Sequence, residues 1–200
     1  MSSRVVDWAL AARPAVGESE CGDAAFVQEG ERRALAAAVD ALGHGPEAAR
    51  VARVAVDALS DGAATGLTSA AELCHHALRG TRGAAVTLAA FDAESDVMTW
   101  LGIGNVEGRL LRAGSGRAVD SLLLRAGIAG EDLPPQPPTV THLRRGDLLV
   151  LATDGVAPSF GDDLAADRSC DEMAHTLLEQ HAMDGDDALV LVVRYLGGGQ

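Results

Sequence analysis

Three acidic stretches that lie far apart in the sequence each place an aspartate beside an apolar segment. They are VDALGHG, LATDG and DDALVLVV, and their leading aspartates are Asp40, Asp154 and Asp186. Neighbouring carboxylates repel one another unless a cation lies between them. Mg²⁺ and Mn²⁺ prefer oxygen ligands, and a pair of such ions can activate water for attack on a phosphoester. The aspartates therefore predict a divalent-metal site, although each one alone is also typical of a turn.

The segments that must position these aspartates have the character of a layered α+β protein. Apolar, β-branched or alternating runs predict strands at residues 5–11, 24–28, 33–39, 84–91, 97–101, 106–111, 139–143, 147–153 and 188–195. Helices are predicted at residues 45–59, 68–78 and 169–181, the second with a Thr-Ser cap at its start. Two helices, many antiparallel strands and one further helix favour a layered sandwich over alternating βα units.

The middle of the chain carries two further local signals. Short strands between residues 84 and 111 predict an antiparallel meander, with a tight hairpin at 102–105 and the possibility that Asn105 borders the active cleft. The segment PPQPP at 134–138 predicts a surface loop, because proline cannot join a sheet interior.

Composition limits the classes of partner. The chain has 200 residues, 48% of them hydrophobic, which suits one domain, and its net charge of −13 disfavours nucleic acid and anionic membranes. Cys21, Cys74 and Cys170 are odd in number and lack any CxxC pairing, so reduced, buried thiols are predicted. The amino-terminal apolar stretch is too short for a signal peptide, and we expect a cytoplasmic protein.

An ordered set of motifs identifies a family. GESECGDAAFV, AAAVDALGHGPEAA, GIGNVEGRLL, LATDGV and DDALVLVVR together resemble the metal-dependent PPM (type 2C) protein phosphatases, within them the SpoIIE-like group and most of all its compact stressosome phosphatases. The resemblance spans residues 17–194. It implies a single-domain αββα four-layer sandwich, with two antiparallel sheets flanked by helices, over residues 1–196, and a flexible tail at 197–200.

The resemblance also implies roles for individual residues and a cofactor of two divalent cations, Mn²⁺ or Mg²⁺. Asp40 matches the aspartate that bridges both ions, and the Ala41 carbonyl matches a ligand of the first ion. Asp154 and Asp186 match ligands of the second ion. Asp23 matches an acidic residue that contacts the water network around the ions, although a turn or cap role stays open for it.

The sequence departs from the family pattern around the substrate phosphate. Larger type 2C enzymes carry a phosphate-binding arginine five residues before the early aspartate, where this chain has Glu18. The phosphate must then be bound by the ions, by the backbone amides of 43–45, or by another arginine such as Arg13. His44 is a candidate acid or substrate contact, or alternatively a loop residue that supports the helix start. Asp187 is the less favoured ligand of its pair and is expected to cap a strand.

The function implied by the resemblance is removal of phosphate from serine or threonine of a partner protein, by attack of a metal-bridging water and without a phosphoenzyme. The implied partner is a phosphorylated STAS-domain protein of a stressosome or anti-anti-sigma system, and a monomeric enzyme is expected. Two alternatives stay open: a phosphatase-fold binding module with little or no activity, and a hydrolase of small phosphoesters.

Overall fold

The computed structural model describes residues 4–114, 119–133 and 137–198, and these form two stacked antiparallel sheets with helices on both outer faces. The strands are β1 (Val6–Arg13), β2 (Asp23–Glu29), β3 (Arg33–Ala41), β4 (Ala84–Asp92), β5 (Val97–Ile103), β6 (Glu107–Leu111), β7 (Val119–Ser121), β8 (Thr139–His142), β9 (Leu148–Ala152) and β10 (Ala188–Tyr195). The helices are α1 (Gly45–Gly62), α2 (Leu67–Ala77) and α3 (Cys170–His181), and two short 3-10 helices span Ala63–Thr65 and Pro158–Asp163.

The strand order assigns each strand to a layer. One sheet has the order β1-β10-β9-β6-β7 and the other β2-β3-β4-β5-β8. Helices α1 and α2 pack on the second sheet and α3 packs on the first, so the layers run α, β, β, α. The predicted four-layer sandwich is confirmed.

The central strands are apolar on both faces because each is covered on both sides. In β3, Ala34, Ala36 and Ala38 face the layer between the sheets, whereas the alternate residues, with Leu35 and Val39 among them, face α1 and α2. The side chains of β10 likewise alternate between the layer between the sheets and the face covered by α3. This explains why these segments lack the polar alternation of a half-exposed strand.

Four local predictions are wrong. The run from 84 to 111 is not a single meander, because β5 pairs with β4 and β8 whereas β6 pairs with β7 and β9 in the other sheet. The segment 102–105 is therefore a crossover between sheets and not a hairpin, with Gly104 at a φ of 88°. Helix α2 has Gly66, without a side-chain cap, where a Thr-Ser cap was predicted. Cys21 is only half-buried, whereas Cys74 and Cys170 are buried as expected.

Two predicted segments fall partly or wholly outside the described ranges. Residues 134–136 of the predicted proline loop do so, as do residues 199–200 of the predicted tail. No helix within 4–114, 119–133 and 137–198 has the length and apolar character needed to cross a membrane.

Candidate metal centre

The predicted aspartates meet at one edge of the two sheets. Asp23, at the start of β2, pairs directly with Asp40, near the end of β3. Asp154 follows β9, and Asp186 precedes β10, the strand that pairs with β9. Antiparallel pairing brings the start of one strand to the end of its neighbour, so both sheets deliver carboxylates to the same edge.

Strand periodicity aims several of these side chains into the layer between the sheets. Ala25 and Val27 of β2 face that layer, and so do Ala36 and Ala38 of β3. Successive side chains alternate between faces of a strand, so Asp23 and Asp40 project toward the same layer. The same two-residue step places Thr153 and Asp187 there, after Leu151 and before Leu189.

A hydrogen-bonded threonine joins the two sheets at this point. Thr153 donates its hydroxyl proton to Asp23 Oδ2 at 2.6 Å and accepts the Leu189 N–H at 2.9 Å. Asp23 and Thr153 are both buried. Asp23 is therefore a fixed part of the cleft wall and not an exposed turn residue.

Crowding and burial raise the pKa values of the carboxyl groups. Burial, reinforced by the charge of Asp40, raises the pKa of Asp23 to about 8. Burial also raises the pKa of Asp40, to about 7, and the charges of Asp154 and Asp186 add to the effect. The pKa of Asp154 is raised by burial and by the charge of Asp186. Such mutual destabilisation of carboxylates is the electrostatic signature of a site that suits cations.

The strand pairing of Ala41 with Gly22 is interrupted. The Ala41 N–H donates to the Gly22 carbonyl at 3.2 Å, as in an ordinary antiparallel pair. Gly22 does not return the bond to Ala41, because its own N–H donates to Asp187 Oδ2 at 2.6 Å. The diverted N–H leaves the Ala41 carbonyl without the Gly22 N–H as a partner, which is consistent with its predicted role as a metal ligand.

Asp187 therefore has a positioning role. Its second carboxylate oxygen accepts the Ala15 N–H at 2.8 Å, and the residue is buried. Asp187 thus ties the loop before β2 to the start of β10. Its neighbour Asp186 is half-buried and lies just before β10. The Asp186 carboxylate accepts the Asp187 N–H at 2.9 Å.

Asn105 orients Asp154. Its amide donates to Asp154 Oδ2 at 2.6 Å from the crossover between β5 and β6. Asn105 therefore lies beside one of the predicted metal ligands, as the possibility that it borders the cleft requires. Thr153, in contrast, was missed as a site residue, because β9 is apolar on both faces and its sequence does not show which way Thr153 points.

The carboxylates fit divalent ions only with help from other ligands. In the part of the chain that the structure describes, no three His, Cys, Asp or Glu side chains are arranged so that they alone could hold one ion. Mg²⁺ keeps several waters and is commonly bound through only one or two carboxylates. The donor set of carboxylates and a backbone carbonyl therefore fits hard divalent cations that retain water.

His44 and Glu18 form a pair at the start of α1. The Glu18 Oε1 atom lies 2.7 Å from His44 Nδ1, and the side chain of His44 is 56% exposed. A Cβ atom added to Gly45 would lie 2.6 Å from Glu18 Oε2, so the carboxylate lies against the first residue of the helix. An acidic group is favourable there because the helix dipole is positive at that end.

Comparison with known proteins identifies the family. The model for "Stage II sporulation protein E (SpoIIE)" matches residues 30–196. The chain belongs to the SpoIIE family. Phosphoserine phosphatase RsbX of Bacillus subtilis (strain 168) is 26% identical over 162 residues, 80% of each chain. The compact stressosome phosphatase that the motifs resemble is this relative.

Solved structures agree with membership of the SpoIIE family. A chain from a study of the bacterial stressosome and secondary messenger signalling is 30% identical, with a TM-score of 0.86 over 94% of this chain and 99% of that one. RsbX in complex with magnesium has a TM-score of 0.82 at 22% identity, over 98% of this chain and 97% of that one. The catalytic domain of the serine/threonine protein phosphatase PstP, in complex with two manganese ions, shares the fold at 16% identity with a TM-score of 0.68, over 97% of this chain and 100% of that one. The predicted family and its protein phosphatase class are confirmed.

We expect Asp187→Asn to weaken metal binding without removing a ligand. An asparagine offers a single side-chain oxygen, so either Ala15 or Gly22 loses its buried acceptor, at a cost of about 1–3 kcal/mol in the free energy of unfolding. Loss of such an outer partner typically lowers metal affinity by roughly 10–100-fold. Calorimetric titration with Mn²⁺ measures this, with the exposed carboxylate variant Asp61→Asn as the charge-matched control. Unchanged affinity in Asp187→Asn would contradict the positioning role.

Proposed function

We propose that this chain is a metal-dependent phosphatase that removes phosphate from phosphoserine or phosphothreonine of a partner-switching regulatory protein. The observation that carries the proposal is the convergence of aspartates from both sheets beside a strand carbonyl released from its pairing. Such a donor set suits the two hard cations that support phosphoester hydrolysis.

The residues proposed to hold two Mn²⁺ or Mg²⁺ ions are Asp40, Asp154, Asp186 and the carbonyl of Ala41. When bound, the ions would polarise the phosphoryl group and lower the pKa of bound water. Asn105 and Thr153 hold Asp154 and Asp23 in place through their hydrogen bonds. Family membership and the magnesium and manganese of the related structures support this cofactor.

His44 is proposed as the group that faces the leaving serine oxygen. The contact of Nδ1 with Glu18 fixes the ring and directs Nε2 away from that carboxylate. In this position His44 would donate a proton to the alkoxide or contact a phosphate oxygen. The alternative, support of the helix start, rests on the same contact, because Glu18 also lies against Gly45.

The proposed partner is a phosphorylated STAS-domain protein of a stressosome or anti-anti-sigma system, and the proposed location is the cytoplasm. The similarity to RsbX and to a stressosome-related chain supports this partner. The net charge of −13 is consistent with a protein substrate and not with nucleic acid or an anionic membrane. We further propose that residues 1–196 form the phosphatase domain and that the protein acts as a monomer.

A second candidate is a binding module of the same fold with little turnover. Among the described residues, no three His, Cys, Asp or Glu side chains could hold an ion without further ligands, which favours this candidate. The raised pKa values of Asp23, Asp40 and Asp154 oppose it, because a binding surface has no need of repelling carboxylates.

Phosphate release distinguishes the candidates. The substrates are a phosphorylated STAS protein, a generic phosphoserine peptide and p-nitrophenyl phosphate, each tested with Mn²⁺ and with excess chelator. We expect metal-dependent release that is fastest from the STAS protein. Full activity in chelator would refute the metal mechanism, and binding of the STAS protein without release would favour the module. Preference for p-nitrophenyl phosphate would indicate a hydrolase of small phosphoesters.

A further inference from the structure

An arginine from another segment packs against the loop that follows Asp40. Arg82 precedes β4, and its Nη1 donates to the Leu42 carbonyl at 2.9 Å. The guanidinium occupies the space that a Cβ atom at Gly43 would need, and Gly43 has a φ of 82°. Two features therefore favour glycine at position 43. It permits the left-handed conformation, and it lets the guanidinium approach the backbone.

Other groups that could bind a phosphate here are already engaged. Glu18 covers the start of α1, so the backbone amides of that turn face a carboxylate. The guanidinium of Arg13 lies 3.0 Å from Asp184 Oδ1, and Arg13 ends β1, which is in the other sheet from the strand that carries Asp40. Neither group offers a substrate phosphate an uncompensated positive charge.

Arg82 differs because its guanidinium lies against the backbone of Leu42 and Gly43, which closely follows Asp40. Its Nη2 lies 3.0 Å from Glu47 Oε2, and the side chain of Glu47 is 63% exposed. Exposed ion pairs of this kind contribute little, so the pair can open or be shared at small cost. The planar guanidinium has five N–H donors and suits bidentate binding of a phosphate.

We propose that Arg82 binds the phosphate group of the phosphorylated substrate at the rim of the metal centre. A phosphoserine dianion that approaches a cluster of aspartates meets repulsion from every carboxylate that the cations leave unbalanced. The Arg82 guanidinium, which packs against the loop between Asp40 and α1, offsets that repulsion on the side from which the substrate approaches. The inference rests on the proposed phosphatase function and adds the residue that recognises its substrate.

The test measures binding separately from turnover. A fluorescent peptide with a non-hydrolysable phosphonate in place of phosphoserine is titrated in Mn²⁺ and followed by anisotropy, with the unphosphorylated peptide alongside. Arg82→Gln keeps an N–H donor on a shorter side chain but has no charge. We expect it to weaken phosphonate binding about tenfold or more, as the loss of a charged hydrogen bond typically does. Arg82→Lys is expected to retain part of the affinity.

Steady-state kinetics and matched controls complete the design. Arg82→Gln should raise KM for the phosphoserine peptide more than it lowers kcat, with Mn²⁺ affinity unchanged. Glu47→Gln should lower KM, because it removes the competing carboxylate. Arg33→Ala removes an exposed, ion-paired arginine at the opposite end of β3 and should behave as wild type.

The outcomes separate the two levels of the proposal. Equal losses in Arg82→Gln for the phosphonate and unphosphorylated peptides, or a loss of Mn²⁺ affinity, would show that Arg82 only supports the loop. If the wild-type protein hydrolyses phosphoserine and Arg82→Gln has the same phosphonate affinity and KM, the inference about Arg82 is overturned but the proposed function is not. A wild-type protein that releases no phosphate from any substrate overturns the proposed function.

Discussion

Asp40→Asn is expected to lose phosphatase activity more completely than any other single substitution at the site. Asp40 pairs with Asp23 across β2 and β3 and interacts with the charges of both Asp154 and Asp186, so it lies at the centre of the cluster. Replacement of a shared ligand should exceed the roughly 10–100-fold loss caused by an outer partner. Phosphate release from a phosphoserine peptide measures the loss, and calorimetric titration should show fewer bound Mn²⁺ ions than in wild type.

The control for this variant is Asp184→Asn, an exposed carboxylate at the same end of the molecule that pairs with Arg13. It should keep wild-type activity and metal stoichiometry. An Asp40→Asn protein that binds the wild-type number of ions would contradict the assignment of Asp40 as a bridging ligand, whatever its activity.

The metal-free protein is expected to lose stability as the pH rises from about 4 to about 8. Asp23 and Asp40 have folded-state pKa values of about 8 and about 7, whereas an unfolded aspartate titrates near 3.9. Between these limits the folded state binds more protons than the unfolded state, so the free energy of unfolding falls with increasing pH. The contribution is complete below the unfolded pKa and is lost as the pH passes the folded values. Thermal unfolding in chelator across this range measures the slope.

Asp23→Asn tests the origin of that slope. Its amide oxygen can still accept the Thr153 hydroxyl, but the group no longer titrates. The metal-free variant should therefore show a shallower slope and melt above wild type at pH 8, whereas the exposed Asp57→Asn control should retain the wild-type slope. Saturating Mn²⁺ should reverse the trend, adding about 2.7 kcal/mol of stability at a hundredfold excess over its dissociation constant. A wild-type slope in Asp23→Asn would exclude Asp23 as the buried titrating group.

Much of the fold could be predicted because local patterns and tertiary structure agree in most elements. The strand at 188–195 has the predicted bounds, and the other long strands differ by one or two residues. The crossover at 102–105 could not be predicted, because short range turn chemistry at Gly102 and Gly104 is the same for a hairpin and for a change of sheet. Only the long-range pairing of β6 with β9 decides between them.

The proposed ligands could be picked out from the sequence, because aspartates beside apolar runs are visible there. The residues that support them could not, and Thr153 is one of these, because β9 is apolar on both faces and its sequence does not tell which face a residue occupies. The role of Asp187 could not be predicted, since it depends on Gly22 and Ala15, which are 165 and 172 residues away. The neighbourhood of Arg82 and Gly43 depends likewise on the pairing of β3 with β4 and not on any local motif.

The pairing of β1 with β10 has a consequence for the order of folding. The first strand finds its hydrogen-bonding partner only in the last one, where Val6 lies opposite Tyr195, and Asp187 then fastens the loop that follows β1. Contacts between such distant residues close the longest loops and form late. During synthesis, β2, β3 and the helices that cover them emerge long before β10 does. Asp23 and Asp40 are therefore synthesised well before Asp186 and β10. The nascent chain has no complete ion site until that strand is in place.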